Sequence, residues 1–289
     1  MLFDLSLEFW YMLPISILIA TVAMTSGVEG ATFFTPLFIL VLGLPPEIAI
    51  GAGLITEVFG FGSGLYAYAR KRLIDYKLSF ALLMVTIPMA IFGAWVAGYI
   101  SPDILKTILG MGLFALAVTF LKTPEPQRIV QLDKDIEAEF NKKKAETCVN
   151  TADGEQICYT VCNRAEGMAI SGVGGLFIGM ISTGLGELNS YFLLQRCKVP
   201  SKVAVATSVF VVALTALIAS TGHFIRFIES GGETLETVLS LVVFTVPGVI
   251  IGGQIGPLIA SRISQHTLER GLGILFVFVA VLMLGNVVF

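Results

Sequence analysis

Residues 11–41, YMLPISILIATVAMTSGVEGATFFTPLFILV, decide how the rest of the chain is read. The stretch is too long for one plain crossing of a hydrocarbon core about 30 Å thick, which takes about 20 residues of helix. It is also interrupted near its middle by Ser26-Gly27-Val28-Glu29-Gly30. Glycines loosen a helix, and a carboxylate at that depth is costly. Backbone freed from helical bonding inside a membrane persists only where it is buried in protein or lines a cavity. The stretch therefore predicts a broken or re-entrant helix whose break looks into the protein. Residues 166–196 repeat the pattern, with Thr183-Gly184-Leu185-Gly186-Glu187 at the interruption.

Outward from these two stretches lie further apolar segments at 47–69, 78–100, 104–121, 203–228, 235–260 and 271–289, which makes eight in all. Only 13% of residues are charged and the mean hydropathy is +0.87, so the chain lacks the roughly 25% charge of a soluble domain. The net charge of −3 gives no reason to expect a nucleic-acid partner. The opening MLFDLSLEFW carries Asp4 and Glu8 where a secretory signal has basic residues, and reads as a short lead-in to the first span. The expected fold is an all-α membrane protein of about eight transmembrane helices.

Four landmarks recur in order and divide that protein into two four-helix repeats. Ser26-Gly27-Val28 answers to Thr183-Gly184-Leu185, and Leu44-Pro45-Pro46-Glu47-Ile48-Ala49 to Val199-Pro200-Ser201-Lys202-Val203-Ala204. Ile87-Pro88 with Gly93 answers to Val246-Pro247 with Gly252, and Ser101-Pro102-Asp103 to Ser264-Gln265-His266. The first three offsets are 157, 155 and 159 residues, as expected of a duplication with small insertions. The first repeat is placed at 1–121, a polar linker at 122–165 and the second repeat at 166–289. Four spans per repeat make the repeats parallel, whereas a broken segment counted as two spans makes them inverted; the sequence leaves both open.

Within the linker, residues 131–146 read as a charged helix and 147–162 as a hairpin turning at Asp153-Gly154. Cys148, Cys158 and Cys162 lie here and Cys197 beyond it; their spacing forms no strong metal signature, and free thiols, a disulfide and a metal all stay open. Counted over eight simple spans, twelve Lys and Arg fall on the side of the termini and linker and six on the other. The expectation is a multi-pass protein of the cell membrane with termini and central loop in the cytoplasm. The Arg70-Lys71-Arg72 run serves as a topology signal, and His223 with Arg226 as an interfacial pair.

Duplicated membrane units are a habit of secondary transporters, whose substrates bind near the midplane where broken helices point inward. Glu29 and Glu187, at nearly equivalent places in the two repeats, are read as groups that couple transport to proton movement. Glu57, deep in the second span, is a third candidate. Gly27, Gly30, Thr32, Gly184, Gly186, Asn189, Thr207 and Ser208 are read as substrate-binding, because hydroxyls, amides and helix starts can replace the water around an oxyanion. Gln254 is open between cavity and packing. No metalloprotease, phosphate-loop or nucleophile motif is read, so neither enzyme, cofactor nor metal site is expected.

The glycine-rich break in each half, the Pro-x-x-x-Ala landmark, Ala206-Thr207-Ser208 and the Pro-to-Gly segments resemble the TauE/SafE family of sulfite exporters. The resemblance covers nearly the whole chain outside 122–165. It implies an eight-helix carrier of sulfite, sulfoacetate and related organosulfur anions, and it leaves oligomerisation open. The chain departs from the family's glycine cluster at Gly27-Val28-Glu29-Gly30-Ala31 and Gly184-Leu185-Gly186-Glu187-Leu188, where an acid replaces a glycine. The expected function is proton-coupled transport of a small sulfur-containing anion; the alternative is a cation or metal carrier using the paired glutamates.

Overall fold

The computed structural model describes residues 7–26, 28–121, 147–160, 162–260 and 265–288. It is helical apart from one small hairpin. The helices are α1 (Met12–Ser26), α2 (Ala31–Leu40), α3 (Pro46–Arg70), α4 (Tyr76–Ala97) and α5 (Pro102–Leu121). Strands β1 (Thr147–Asn150) and β2 (Gln156–Tyr159) follow. Then come α6 (Arg164–Ile181), α7 (Leu185–Ser190) running into a π-helical turn at Tyr191–Arg196, α8 (Ser201–Ser230), α9 (Gly232–Ala260) and α10 (Gln265–Val288).

The local chemistry sets the boundaries. The last turns of α1 carry Thr21, Thr25 and Ser26, whose hydroxyls bond back to the carbonyls of Ile17, Thr21 and Val22. Pro46 opens α3, where its missing N–H costs nothing. Asp75 caps α4 by accepting the Leu78 N–H at 3.0 Å, and Asn163 caps α6 by accepting from Glu166 at 3.3 Å. Ser182 and Gly184 take left-handed backbone, with φ of 61° and 106°, and turn the chain sharply between α6 and α7.

Six described helices are long and apolar enough to cross a membrane: α3, α4, α5, α8, α9 and α10. Of the eight apolar segments, these six are plain spans, and the two interrupted stretches, expected as broken or re-entrant helices, fold as helical hairpins. In the second, Gly174 packs on Leu185, Ser171 bonds Asn189, Gly167 packs on Phe192 and Glu166 pairs with Arg196, so the returning arm runs back along α6. In the first, α2 turns at 41–45 into α3, and Gly53 of α3 lies against Ala31 and Thr35 of α2.

Residue pairing fixes the helix directions. Gly248, Gly252 and Gly256 of α9 meet Ser16, Ile17 and Met24 in rising order, so α1 and α9 are parallel. Gly172, Gly175 and Gly179 of α6 meet Val85, Thr86 and Ala90, so α6 and α4 are parallel. Thr56 bonds Thr245 at 2.8 Å and Ser63 lies against Gly253, which makes α3 parallel to α9. Thr86 bonds Thr215 at 2.9 Å and Arg226 bonds the Trp95 carbonyl, which makes α4 parallel to α8. Conversely, Gly51 near the start of α3 meets His223 and Phe227 near the end of α8, and Lys106 at the start of α5 bonds Asn286 near the end of α10. Hence α3 opposes α8, and α5 opposes α10.

Three spans separate the first hairpin from the linker, so the start of α1 and the end of α10 lie at one end of the bundle and the β-hairpin at the other. The start of α1 and the end of α10 therefore face away from the β-hairpin, whereas a count of eight simple spans puts the termini and central loop on one side. The described cations divide unequally between these ends. Arg70, Lys71, Arg72, Lys77, Arg164, Arg196, Lys198, Lys202 and Arg270 lie at the hairpin end, and only Lys106 and Arg226 at the other.

The β-hairpin forms about the anticipated Asp153-Gly154 turn, with Gly154 at φ +83°. The helix expected at 131–146 lies outside the described residues. Cys148 sits opposite Cys158 in the ladder and is bridged to it, while Cys162 is bridged to Cys197. The free-thiol reading of Cys148, Cys158 and Cys162 therefore gives way to disulfides, decided by strand register and by the return of α7, which the spacing does not encode. The hairpin docks through the Ala152 N–H to the Lys71 carbonyl and through the fully buried Tyr159, whose hydroxyl donates to Asp75 at 2.6 Å.

Burial and the Asp75 carboxylate hold the Tyr159 phenol above its usual pKa, which is about 10. The folded state keeps that proton more tightly than the unfolded one. Docking is thus at full strength below pH of about 10 and weakens as pH rises beyond it. Tyr159→Phe is expected to weaken docking by about 1.5–3 kcal/mol, the worth of a bond to a charged acceptor. Hydrogen exchange over 147–159 reads this, and unchanged protection counts against it.

Candidate functional site

The two helix breaks meet. Glu29, three residues beyond α1, is buried and points across to the second break, where its carboxylate accepts the backbone N–H of Gly184 at 3.0 Å and that of Gly186. A β-carbon on Gly186 would lie 2.7 Å from Glu29 Oε1, so glycine is what lets the amide reach the acid. Glu57 of α3 is equally buried. The amides of Ala31 and Gly30 approach its carboxyl, yet neither of its oxygens completes a hydrogen bond. Glu187, in the first turn of α7, is partly buried, and one of its carboxyl oxygens is enclosed without a partner. All three carboxyls lie within electrostatic reach of one another.

Hydroxyls tie the two breaks together. Thr32 bonds Thr183 at 2.7 Å, and Thr35 bonds Ser182 at 2.6 Å. Asn189 accepts the Ser171 hydroxyl at 2.6 Å, and its buried amide nitrogen has no partner. A buried donor and three enclosed carboxyl oxygens without partners are costly in a low-dielectric interior. Thr32→Val and Thr183→Val, combined in a double-mutant cycle on thermal unfolding, are expected to give a coupling of about 0.6 kcal/mol and at most about 1.7. Strict additivity would remove this bond from the account.

Of the residues picked from sequence, Glu29, Gly30, Thr32, Glu57, Gly184, Gly186, Glu187 and Asn189 come together here. Gly27 lies outside the described residues. Thr207 and Ser208 do not join them: they sit near the start of α8 at the hairpin end, where Thr207 accepts the Asp75 N–H at 3.1 Å. His223 is buried with its Nε2 at 3.0 Å from the Gly179 carbonyl, so it packs α8 on α6 and is not an interfacial group; Arg226 is half-buried and donates to the Trp95 carbonyl. Gln254 is exposed on the outside of the bundle. Every described Lys and Arg lies towards a helix end or outside the helices, so the junction holds acids without a basic counterpart. Among the described residues no three His, Cys, Asp or Glu are arranged to hold a metal ion. The threonine bridges were not anticipated, although Thr86 and Thr245 precede the two Pro landmarks and could have been found there.

A family model described as "Sulfite exporter TauE/SafE" matches residues 12–283. The chain is similar to "Probable membrane transporter protein YunE" of Bacillus subtilis (strain 168), 24% identical over 281 residues that cover 94% of this chain and 96% of that one. It is likewise similar to "Probable membrane transporter protein YjnA" of the same organism, 27% identical over 251 residues, covering 83% and 87%. A third relative, "Probable membrane transporter protein ORF9" of Sinorhizobium sp, is 31% identical over 91 residues, covering 32% of this chain and 35% of that one. No solved structure matches.

Proposed function

The chain belongs to the TauE/SafE sulfite-exporter family of membrane transporters, and on that premise we propose that it is a secondary carrier of small sulfur-containing anions, coupled to protons at Glu29, Glu187 and Glu57. The observation that carries this reading is the contact between the breaks: a carboxylate from the first half held by two backbone amides of the second. An anion entering beside three carboxyls is repelled unless they hold protons, and the repulsion is strong where water is excluded. Substrate then loads only with protons, so uptake of one requires uptake of the other.

The two halves are read as inverted repeats. The opposed directions of α3 and α8 and of α5 and α10 support this. So do two bridges at one common offset: Thr56···Thr245 and Thr86···Thr215, in which 56 pairs with 215 and 86 with 245 across 159 residues. The close approaches of Gly252 to the Ile17 carbonyl and of Gly93 to the Leu176 carbonyl are related by the same 159. Such repeats suit alternating access about a fixed central site. The cation-rich hairpin end is assigned to the cytoplasm of a cell membrane, which places the start of α1 and the end of α10 on the far side.

Purified carrier in proteoliposomes, screened with sulfite, sulfate, thiosulfate and sulfoacetate with and without a pH gradient, tests the reading. The expected result is saturable flux of sulfite or sulfoacetate that rises as the loading side is acidified. Divalent-cation flux with no anion flux would overturn it in favour of a cation carrier.

A further inference from the structure

All four cysteines are paired, and both pairs lie at the hairpin end of the bundle. That end carries nine of the eleven described Lys and Arg, the mark of a cytoplasmic face. Disulfides in that compartment are seldom structural, because its thiol pool reduces them; those that form there are transient, catalytic or sensing. The Cys162–Cys197 bridge has a specific place. Cys162 directly precedes the cap of α6, and Cys197 directly follows the arm that returns from α7. The bridge thus closes the mouth of the helical hairpin that carries Gly184, Gly186, Glu187 and Asn189. Beside it across that mouth stand the packing of Gly167 on the buried Phe192 and the Arg196–Glu166 pair at 2.8 Å, whose Arg196 side chain is 57% exposed; such an ion pair contributes little. The first hairpin has no cysteine, so only one of the two is stapled.

We propose that the Cys162–Cys197 bridge is a cytoplasmic thiol–disulfide switch that sets the mobility of the α6/α7 hairpin and, with it, the rate of transport. The proposal rests on the transporter reading and on the orientation given above. A dithiol reductant of the cytosol attacks as thiolate at the sulfur of Cys162, the exposed residue of the pair. The Cys162–Cys197 bond breaks, and Cys197, only 6% exposed, leaves as thiolate and is protonated. The second reductant thiol then displaces Cys162 from the mixed disulfide, leaving two protein thiols and one oxidised reductant, a two-electron exchange. With the staple open, the mouth is held by the exposed ion pair and the Gly167–Phe192 packing alone, with no covalent limit on how far the hairpin moves.

Full-length carrier in intact cells, quenched with acid and labelled with maleimide, gives the first test. Cys162 and Cys197 should label during growth and become protected after diamide. A membrane-impermeant maleimide applied outside should leave them untouched until the membrane is opened. In proteoliposomes with sulfite as the probe, dithiothreitol should raise flux several-fold over the oxidised state. Cys162→Ser and Cys197→Ser should be fast in both states, whereas Cys148→Ser with Cys158→Ser should keep the response. Hydrogen exchange over 182–197 should rise several-fold on reduction whether or not sulfite is carried. Absence of sulfite flux in both states, with exchange still responsive, would sink the substrate assignment alone. Equal exchange in both states, or labelling from outside intact cells, would overturn the switch.

Discussion

Glu29→Gln is expected to leave a folded carrier whose flux no longer responds to pH, whereas Glu29→Ala is expected to lose much of the folded protein. The difference lies in what the Gly184 and Gly186 amides find across the junction. Glutamine still offers one carbonyl oxygen but cannot exchange a proton. Alanine offers nothing, and each orphaned amide costs about 1–3 kcal/mol. Replacing charge-assisted bonds by neutral ones removes about 1.5 kcal/mol from the unloaded state, in which the carboxyl carries its charge, or about tenfold in rate where that state is rate-limiting. Flux across a series of pH values reads the first variant and thermal unfolding in detergent the second. A Glu29→Gln carrier with the wild-type pH profile would make Glu29 a purely structural bridge between the breaks.

Gly179→Val is expected to prevent assembly of α6 on α4. A β-carbon at Gly179 would lie 2.1 Å from the Ala90 carbonyl oxygen and 2.9 Å from the Ala94 nitrogen. Both are backbone atoms of a packed helix and cannot swing aside as a side chain would. Overpacking in a yielding core costs about 1–3 kcal/mol, and here the helices must separate instead. Gly252→Val should fail alike, since its β-carbon would meet the Ile17 carbonyl at 2.4 Å. Gly62→Ala is the control: open space surrounds that position within α3, and alanine there should be neutral or gain up to about 1 kcal/mol of helix propensity. Size-exclusion profiles of the three variants separate these outcomes. A monodisperse, fully stable Gly179→Val carrier would mean that the α4/α6 interface yields by more than a methyl group's width.

The apolar runs, the two breaks, the junction acids and the hairpin turn were legible because each is a local signal. Chain direction was not. Whether residues 11–41 cross the membrane or return to their own side changes the crossing count by one and inverts everything after it, and an apolar run reads the same either way. Thr207 and Ser208 looked central because they follow a landmark shared by both repeats. They lie at the bundle's end because α8 begins only six residues before Thr207. Glu57 was legible as a deep acid but not as a neighbour of Glu29. An offset of 155 pairs it with Val212 and the offset of 159 shared by the threonine bridges with Ala216, neither of them an acid, so symmetry does not point to it. The cysteine pairs depend on register and on the path of a returning arm, neither of which spacing records.

On the inverted-repeat reading proposed above, two opposed copies of one unit need not hold the same shape at the same moment. Here the acid of the first copy is held by the amides of the second, while Glu187, its counterpart, keeps an oxygen unbonded. Exchange the shapes of the copies and a second molecule results, with the roles of the acids traded and the opposite mouth in position to open. On that proposal, the unequal bonding of two nearly equivalent side chains is a template for the other half of a transport cycle, from which its geometry can be built.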